Sequence, residues 1–196
     1  KKYLIILILS GIMIRLIIIW VTKSYSTPRL FEYEDVVKNL FNGKGFVFYN
    51  SKFKLDYYAP IHPLFTFLCA GIYLFTNHSF LAVEIFQVLI SVTTGYLIFS
   101  IGKELFNQRV GFIAAVLTIF HPGQIIYSTT AVQSLVMDTF FFVIVVLWII
   151  KTKNTFKNRD FAFLGILIGL GTLARGTLII YLPVALIYYI FTLPLS

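Results

Sequence analysis

An all-α bundle of membrane-crossing helices is the fold this sequence predicts, and three observations predict it. The chain is 59% hydrophobic with a mean hydropathy of +0.88. Only 12% of its residues are charged, against about 25% in an ordinary water-soluble domain. The apolar residues fall in blocks, and a bilayer core needs roughly 20 mostly apolar residues per helix. Blocks 3–22, 80–101, 110–128, 131–150 and 176–195 reach that length, while 60–76 and 161–174 are shorter.

The first block, 3–22, follows Lys1 and Lys2. It is long for a signal peptide, carries Arg15, and has no A-x-A site after it, so it reads as an uncleaved first span. The positive-inside bias places Lys1 and Lys2 on the cytoplasmic side and delivers residues 23–59 outside. Within 23–59, Tyr33, Val36, Val37, Leu40 and Phe41 repeat at helical spacing, and Asn42-Gly43 supplies a stop. The spacing predicts a short helix near 33–42, lying in the membrane interface by its single apolar stripe.

The most basic loop, 151–160, holds Lys151, Lys153, Lys157 and Arg159 and belongs on the cytoplasmic side. If 60–76 and all three segments of 80–150 crossed, an even number of spans would put 151–160 outside. One segment must therefore fail to cross. The first choice is 60–76, which is short and opens on Pro60 and Pro63, so it reads as re-entrant or interfacial. The second choice is 110–128, interrupted by His121-Pro122-Gly123. The two apolar segments of 161–195 follow. The sequence begins without Met and stops inside a hydrophobic pattern, so it reads as the N-terminal part of something longer.

The net charge of +8 sits in short loops at membrane edges, which is no footprint for nucleic acid. The single Cys69 excludes an intrachain disulfide and reads as a small buried apolar residue. Charges in or against a membrane are costly and default to function. Glu32, Glu34, Asp35 and Asp56 place half of the eight acidic residues in one loop. Such a carboxylate is a candidate general base or a ligand for a divalent cation. Near a helix start it can also simply complement the dipole, which suits Glu34 and Asp35. Glu32 stands just before the predicted helix and is freer to face a cleft.

Arg175 lies between two apolar runs and is a candidate for a lipid phosphate or a snorkelling side chain. Arg15, mid-span, is expected to pair with Asp138 or to contact a phosphate. His62, where the outer loop re-enters the membrane, is either an interface residue or a pocket wall. No H-x-x-x-H, phosphate-cradling Gly loop or G-x-S-x-G motif occurs.

Taken in order, these residues resemble a known family. A basic-flanked first span is followed by TPRLFEYEDVVKNLFNGKGFVFY and YYAPIHPLFTFLCAGIYLF, and GILIGLGTLARGTLIIYLP closes the pattern. This is similar to the N-terminal portion of GT-C glycosyltransferases, in the protein O-mannosyltransferase and lipid A aminoarabinose transferase branch, family 39-like. The resemblance implies a membrane enzyme that moves a sugar from a polyprenyl-phosphate donor to a hydroxyl of a protein, lipid or cell-envelope glycan. It implies an active site on the outer face of the plasma membrane, and leaves a divalent cation open.

The resemblance maps the family's catalytic carboxylate onto Glu32, ahead of Val36-Val37-Lys38-Asn39-Leu40 and Gly43-Lys44-Gly45-Phe46, with Glu34 and Asp35 as rivals. The second outer-loop acidic position falls on Gln133, which is neither a base nor a strong metal ligand. The basic residue that holds the lipid phosphate falls on Arg175. Two alternatives stand beside the enzyme: a transporter or flippase, and a non-catalytic relative. A transporter would show internal repeats and mid-membrane polar groups, whereas here the polar residues collect at one edge.

The orientation is directly testable. A cysteine placed at Lys151 in a Cys69→Ala chain should react with an impermeant maleimide only after the membrane is permeabilised. Reaction in sealed cells would reverse the assigned sides.

Overall fold

The computed structural model describes residues 2–50, 53–58, 61–152 and 157–192. Lys1 and residues 51–52, 59–60, 153–156 and 193–196, which figured in the expected segments, lie outside the described residues. The fold is an all-α bundle, with one small hairpin in the polar loop. The helices are α1 Lys2–Thr22, α2 Glu32–Phe41, α3 Pro63–Thr76, α4 Phe80–Leu105, α5 Gln108–Ile119, α6 Pro122–Thr129, α7 Leu135–Thr152, α8 Asn158–Ala174 and α9 Tyr181–Thr192. A 3-10 turn, Gly176–Ile180, joins α8 to α9. Helices α1, α4 and α7 are each long and apolar enough to cross a bilayer.

The predicted 110–128 segment is two helices, α5 and α6, bent by 48° at the Phe120-His121-Pro122 break. Pro122 removes a backbone donor and sets φ for a new first turn. His121 caps that turn, its Nδ1 accepting from the Gly123 amide at 3.1 Å. The segment expected over 131–150 starts only at Leu135. Residues 130–132 instead pair with the polar loop: the Arg29 amide donates to the Thr130 carbonyl at 2.9 Å, and the Val132 amide to the Arg29 carbonyl at 3.1 Å. The first-loop helix begins at Glu32, one residue earlier than the apolar stripe marks. Asn42 ends it, and Gly43 follows at φ +71°, a left-handed conformation that suits glycine.

The hairpin of β1 Val47–Asn50 and β2 Leu55–Tyr58 was not anticipated. Its aromatic and β-branched residues are a strand signal, and Asn39 ties it to α2 by donating to the Val47 carbonyl at 2.8 Å.

Helix ends define the two ends of the bundle. Leu4 and Leu7 near the start of α1 pack with Phe99 near the end of α4 and with Phe112 near the start of α5. Ser128 of α6 and Ser91 of α4 meet Arg15 farther along α1. The bent pair α5–α6 therefore runs the length of the bundle, from the end where α1 starts toward the end where α1 finishes. Helix α7 returns, and its Thr152 hydroxyl sits 3.3 Å from the Tyr189 hydroxyl of α9.

Helix α3 does not follow this pattern. His62, just before it, contacts the backbone of Gly176, and His78, just after it, contacts Glu34 of α2. Both ends of α3 thus lie at the end of the bundle where α1 finishes.

The core beneath α2 and α3 holds Val37, Phe65, Cys69, Tyr73, Val132, Met137 and Leu178. Cys69 is buried there, as its apolar surroundings in the sequence indicate. Helices α4 and α5 approach so closely that a Cβ on Gly102 would stand 2.6 Å from the Gly111 Cα.

Arg15 is fully buried, and its expected partner is corrected. It donates from Nε to Ser128 at 3.1 Å, from Nη1 to the Gly11 carbonyl at 3.0 Å, and from Nη2 to Ser91 at 3.0 Å. Asp138 is engaged elsewhere, by Arg175 and Thr177. The guanidinium fork binds α1 to α4 and α6 through neutral acceptors. Arg15→Ala should lower stability by about 3 kcal/mol, because it leaves a cavity and removes three buried hydrogen bonds to the guanidinium. Thermal unfolding in detergent measures this, and an unchanged midpoint would refute the bracing role.

Candidate functional site

The polar loop and the distant Arg175 meet at the end of the bundle where α1 finishes. A cleft of about 330 Å³ is lined by Phe31, Glu32, Tyr33, Ile61, His62, Gln133, Ser134, Leu135 and Arg175. It sits at the small end of ligand pockets, which run roughly 300–1,000 Å³. Four residues singled out in the sequence share it: Glu32, His62, Gln133 and Arg175.

Each is positioned by a different element. Glu32 is the first residue of α2 and is exposed. Tyr33, next to it, stacks edge-on against Phe65 with ring centroids 5.0 Å apart, and its hydroxyl lies 2.8 Å from the Ser134 hydroxyl. Burial raises the Tyr33 phenol pKa, while the Ser134 hydrogen bond and nearby Arg175 lower it and Glu32 raises it. The net direction is upward, so Tyr33 stays neutral at ordinary pH and serves as a hydrogen-bonding wall, not a base.

Arg175 ends α8 in an extended conformation. Its amide closes the helix by donating to the Gly171 carbonyl at 2.8 Å, and its Nη1 lies 3.8 Å from Asp138 Oδ2. Thr177 donates to the other oxygen of Asp138 at 3.4 Å. The Gly176 amide donates to His62 Nε2 at 3.2 Å, so the His62 proton sits on Nδ1. A Cβ on Gly176 would stand 3.1 Å from the His62 ring. His62 thus holds the turn that follows Arg175 against the start of α3. Gln133 is buried at 9% exposure, and its Nε2 has no hydrogen-bond partner among the described residues.

Beside this polar cleft runs an apolar groove of about 870 Å³. Asp138, Thr139 and Phe142 of α7 form one wall, and residues Gly176 to Pro183 the other. The Asp138–Arg175 pair stands where cleft and groove meet. Asp138, one of the partners expected for Arg15, stands instead at this junction with Arg175 and Thr177. Its position in the first turn of α7, five residues after Gln133, was the available signal.

Not every candidate faces the cleft. Glu34 points beneath α2 and is almost wholly buried. Tyr73 donates to its Oε2 at 3.0 Å, His78 Nε2 lies 2.7 Å from Oε1, and Lys38 lies 3.4 Å from the same oxygen. Asp35 is exposed on α2 and does not line the cleft. Arg15 is occupied in the interior. Among the described residues no group of three or more His, Cys, Asp or Glu is placed to hold a metal ion.

A family profile described as dolichyl-phosphate-mannose-protein mannosyltransferase matches residues 59–195. The match spans His62, Gln133, Asp138 and Arg175 and begins after the loop that carries Glu32. No curated protein and no solved structure matches the chain.

The two neighbouring carboxylates separate cleanly by test. Glu34→Ala strands the Tyr73 and His78 partners and should cost about 3 kcal/mol of stability. Glu32→Gln, at an exposed position, should leave the unfolding midpoint where it was. Equal midpoints for both variants would contradict the burial of Glu34.

Proposed function

The chain belongs to the dolichyl-phosphate-mannose-protein mannosyltransferase family, a GT-C type of membrane glycosyltransferase, and from that premise we propose that it transfers a sugar from a polyprenyl-phosphate donor to an acceptor hydroxyl in the Glu32–Arg175 cleft. The observation that carries this is the meeting of one free carboxylate and one guanidinium, from opposite ends of the chain, in a small polar cleft beside an apolar groove. Such a donor has a polar head and an isoprenoid tail, and the two cavities match those halves.

In the proposed step the acceptor oxygen attacks the anomeric carbon as the bond from that carbon to the phosphate oxygen breaks. Attack from the face opposite the leaving group inverts the sugar. The acceptor proton passes to Glu32, the general base. The polyprenyl phosphate departs with one more negative charge than it carried in the donor. Arg175 stands where that charge develops, and a fixed cation there lowers the barrier. Asp138 orients the guanidinium by a long pair at 3.8 Å, and His62 fixes the turn behind it. Gln133 offers an amide in place of a second acid, for hydrogen bonding to sugar or phosphate.

The membrane arrangement follows the same proposal. With Lys2 at the cytoplasmic side, the cleft opens on the outer face. Helix α3 is then the segment that does not cross, since both its ends lie on the cleft side. The bent α5–α6 pair crosses, and α7 returns to the cytoplasmic side at Thr152.

A transferase assay on the full-length protein tests the roles. Glu32→Gln should lower kcat about 10²–10⁴-fold, the usual worth of a positioned base. Arg175→Ala should lower turnover by about 10²–10³-fold, as loss of a charge-stabilising group does. Full turnover in Glu32→Gln would remove Glu32 as base, and failure of the unaltered protein to bind a polyprenyl phosphate would remove the donor class.

A further inference from the structure

A second groove lies at the opposite end of the bundle, where α1 starts. It has a volume of about 880 Å³ and is formed by three helices. Helix α1 contributes Tyr3 and Leu4, α4 contributes Tyr96, Phe99 and Lys103, and α5 contributes Gln108, Arg109, Phe112 and Ile113. Nothing in the transferase site uses it.

Its architecture is built into the α4–α5 hairpin. A Cβ on Gly111 would stand 2.5 Å from the Phe99 carbonyl oxygen and 2.8 Å from the Lys103 amide nitrogen, so only glycine permits this approach. Lys103, in the last turn of α4, and Arg109, in the first turn of α5, both line the groove. Asn107 caps α5, accepting from the Arg109 and Val110 amides at 2.9 and 3.0 Å. Lys103 and Arg109 are both exposed, and neither has an ion-pair partner among the described residues. Among the described residues no acidic residue lines the groove. Below the two cations the walls are aliphatic and aromatic, with Tyr3 and Tyr96 at 77% and 45% exposure.

We infer that this groove binds an anionic glycerophospholipid of the surrounding leaflet, its phosphate between Lys103 and Arg109 and an acyl chain along Tyr96, Phe99, Phe112 and Ile113. The charge pattern selects the ligand. Two unpaired cations above an apolar trough match a headgroup of net negative charge on a lipid tail. A soluble anion would leave the trough empty, and a zwitterionic lipid would bring a second cation against Lys103 and Arg109. Tyrosines at the rim suit the membrane–water boundary. The inference needs only that the chain is embedded in a membrane, and it stands apart from the assignment of Glu32 and Arg175.

The experiment is native mass spectrometry of the full-length protein in detergent, with dioleoyl phosphatidylglycerol and dioleoyl phosphatidylcholine added as competing probes. Phosphatidylglycerol should be retained in preference. Lys103→Ala with Arg109→Ala should weaken that retention about 30-fold, two charges' worth near an anionic headgroup. The charge-conserving pair Lys103→Arg with Arg109→Lys should keep it. Should the double alanine chain fail to fold, the unaltered protein still decides: its preference must fade between 0.05 M and about 0.5 M salt, where exposed charges are screened. Equal retention of both lipids overturns the inference, as does a preference that survives the double variant or high salt. Displacement of phosphatidylglycerol by a polyprenyl monophosphate from this groove overturns it too. Glu32→Gln should leave the retention unchanged whatever it does to turnover.

Discussion

The carboxylate of Glu34, sealed beneath α2, is the interaction on which the site depends. A ten-residue helix is marginal by itself in water. Helix α2 forms because Val36 and Val37 bury completely and because Glu34 collects Tyr73, His78 and Lys38 from α3, the following turn and its own next turn. Buried carboxylates are costly unless fully bonded, so this one fixes the roll of α2 about its axis. Two residues earlier, and so about half a turn around the helix, that roll presents Glu32 to the cleft. The acid sealed in the interior therefore aims the one proposed as the base.

The same anchoring explains how a short apolar segment stays at one end of the bundle. Pro63–Thr76 is apolar enough to sink into a bilayer yet only 14 residues long. Its two ends are held by polar contacts, His62 to the Gly176 amide and His78 to Glu34. Between them Phe65, Cys69 and Tyr73 pack against Val37, Val132 and Leu178. Packing with the first loop therefore holds the helix at that end of the bundle. This changes which residues can meet, because the parity of the later helices decides whether Arg175 arrives on the Glu32 side.

Much of this was legible in the sequence, and the limits have physical causes. Block length and hydropathy are local properties, so the helical bundle and the stripe of α2 could be read directly. Basic loops report orientation, so the conflict over an even number of spans was visible before any coordinates. Pairing was not legible. Asp138 and Arg15 are two charges in apolar surroundings, and proximity in composition made them look like partners. In three dimensions Ser91 and Ser128 satisfy Arg15 from two helices, and no periodicity marks a serine as a guanidinium partner. The hairpin was also missed, since Phe48, Tyr49, Tyr57 and Tyr58 read equally well as interfacial aromatics.

The Asp138–Arg175 pair bears on how the cleft would handle an anion. A tight bidentate carboxylate would neutralise Arg175 and compete with any phosphate. The observed pair is looser, one nitrogen at 3.8 Å, with both side chains partly exposed. Exposed pairs of this kind contribute little, about 0–1 kcal/mol. Thr177 shares Asp138, drawing its second oxygen away from the guanidinium. A guanidinium has five donors, so a single long contact orients the group and leaves most of its fork unused. Asp138 keeps the cation pointed at the junction of cleft and groove without consuming it. The carboxylate that looked in sequence like a counter-ion for the interior acts instead as a light tether at the place where a departing phosphate would need the charge.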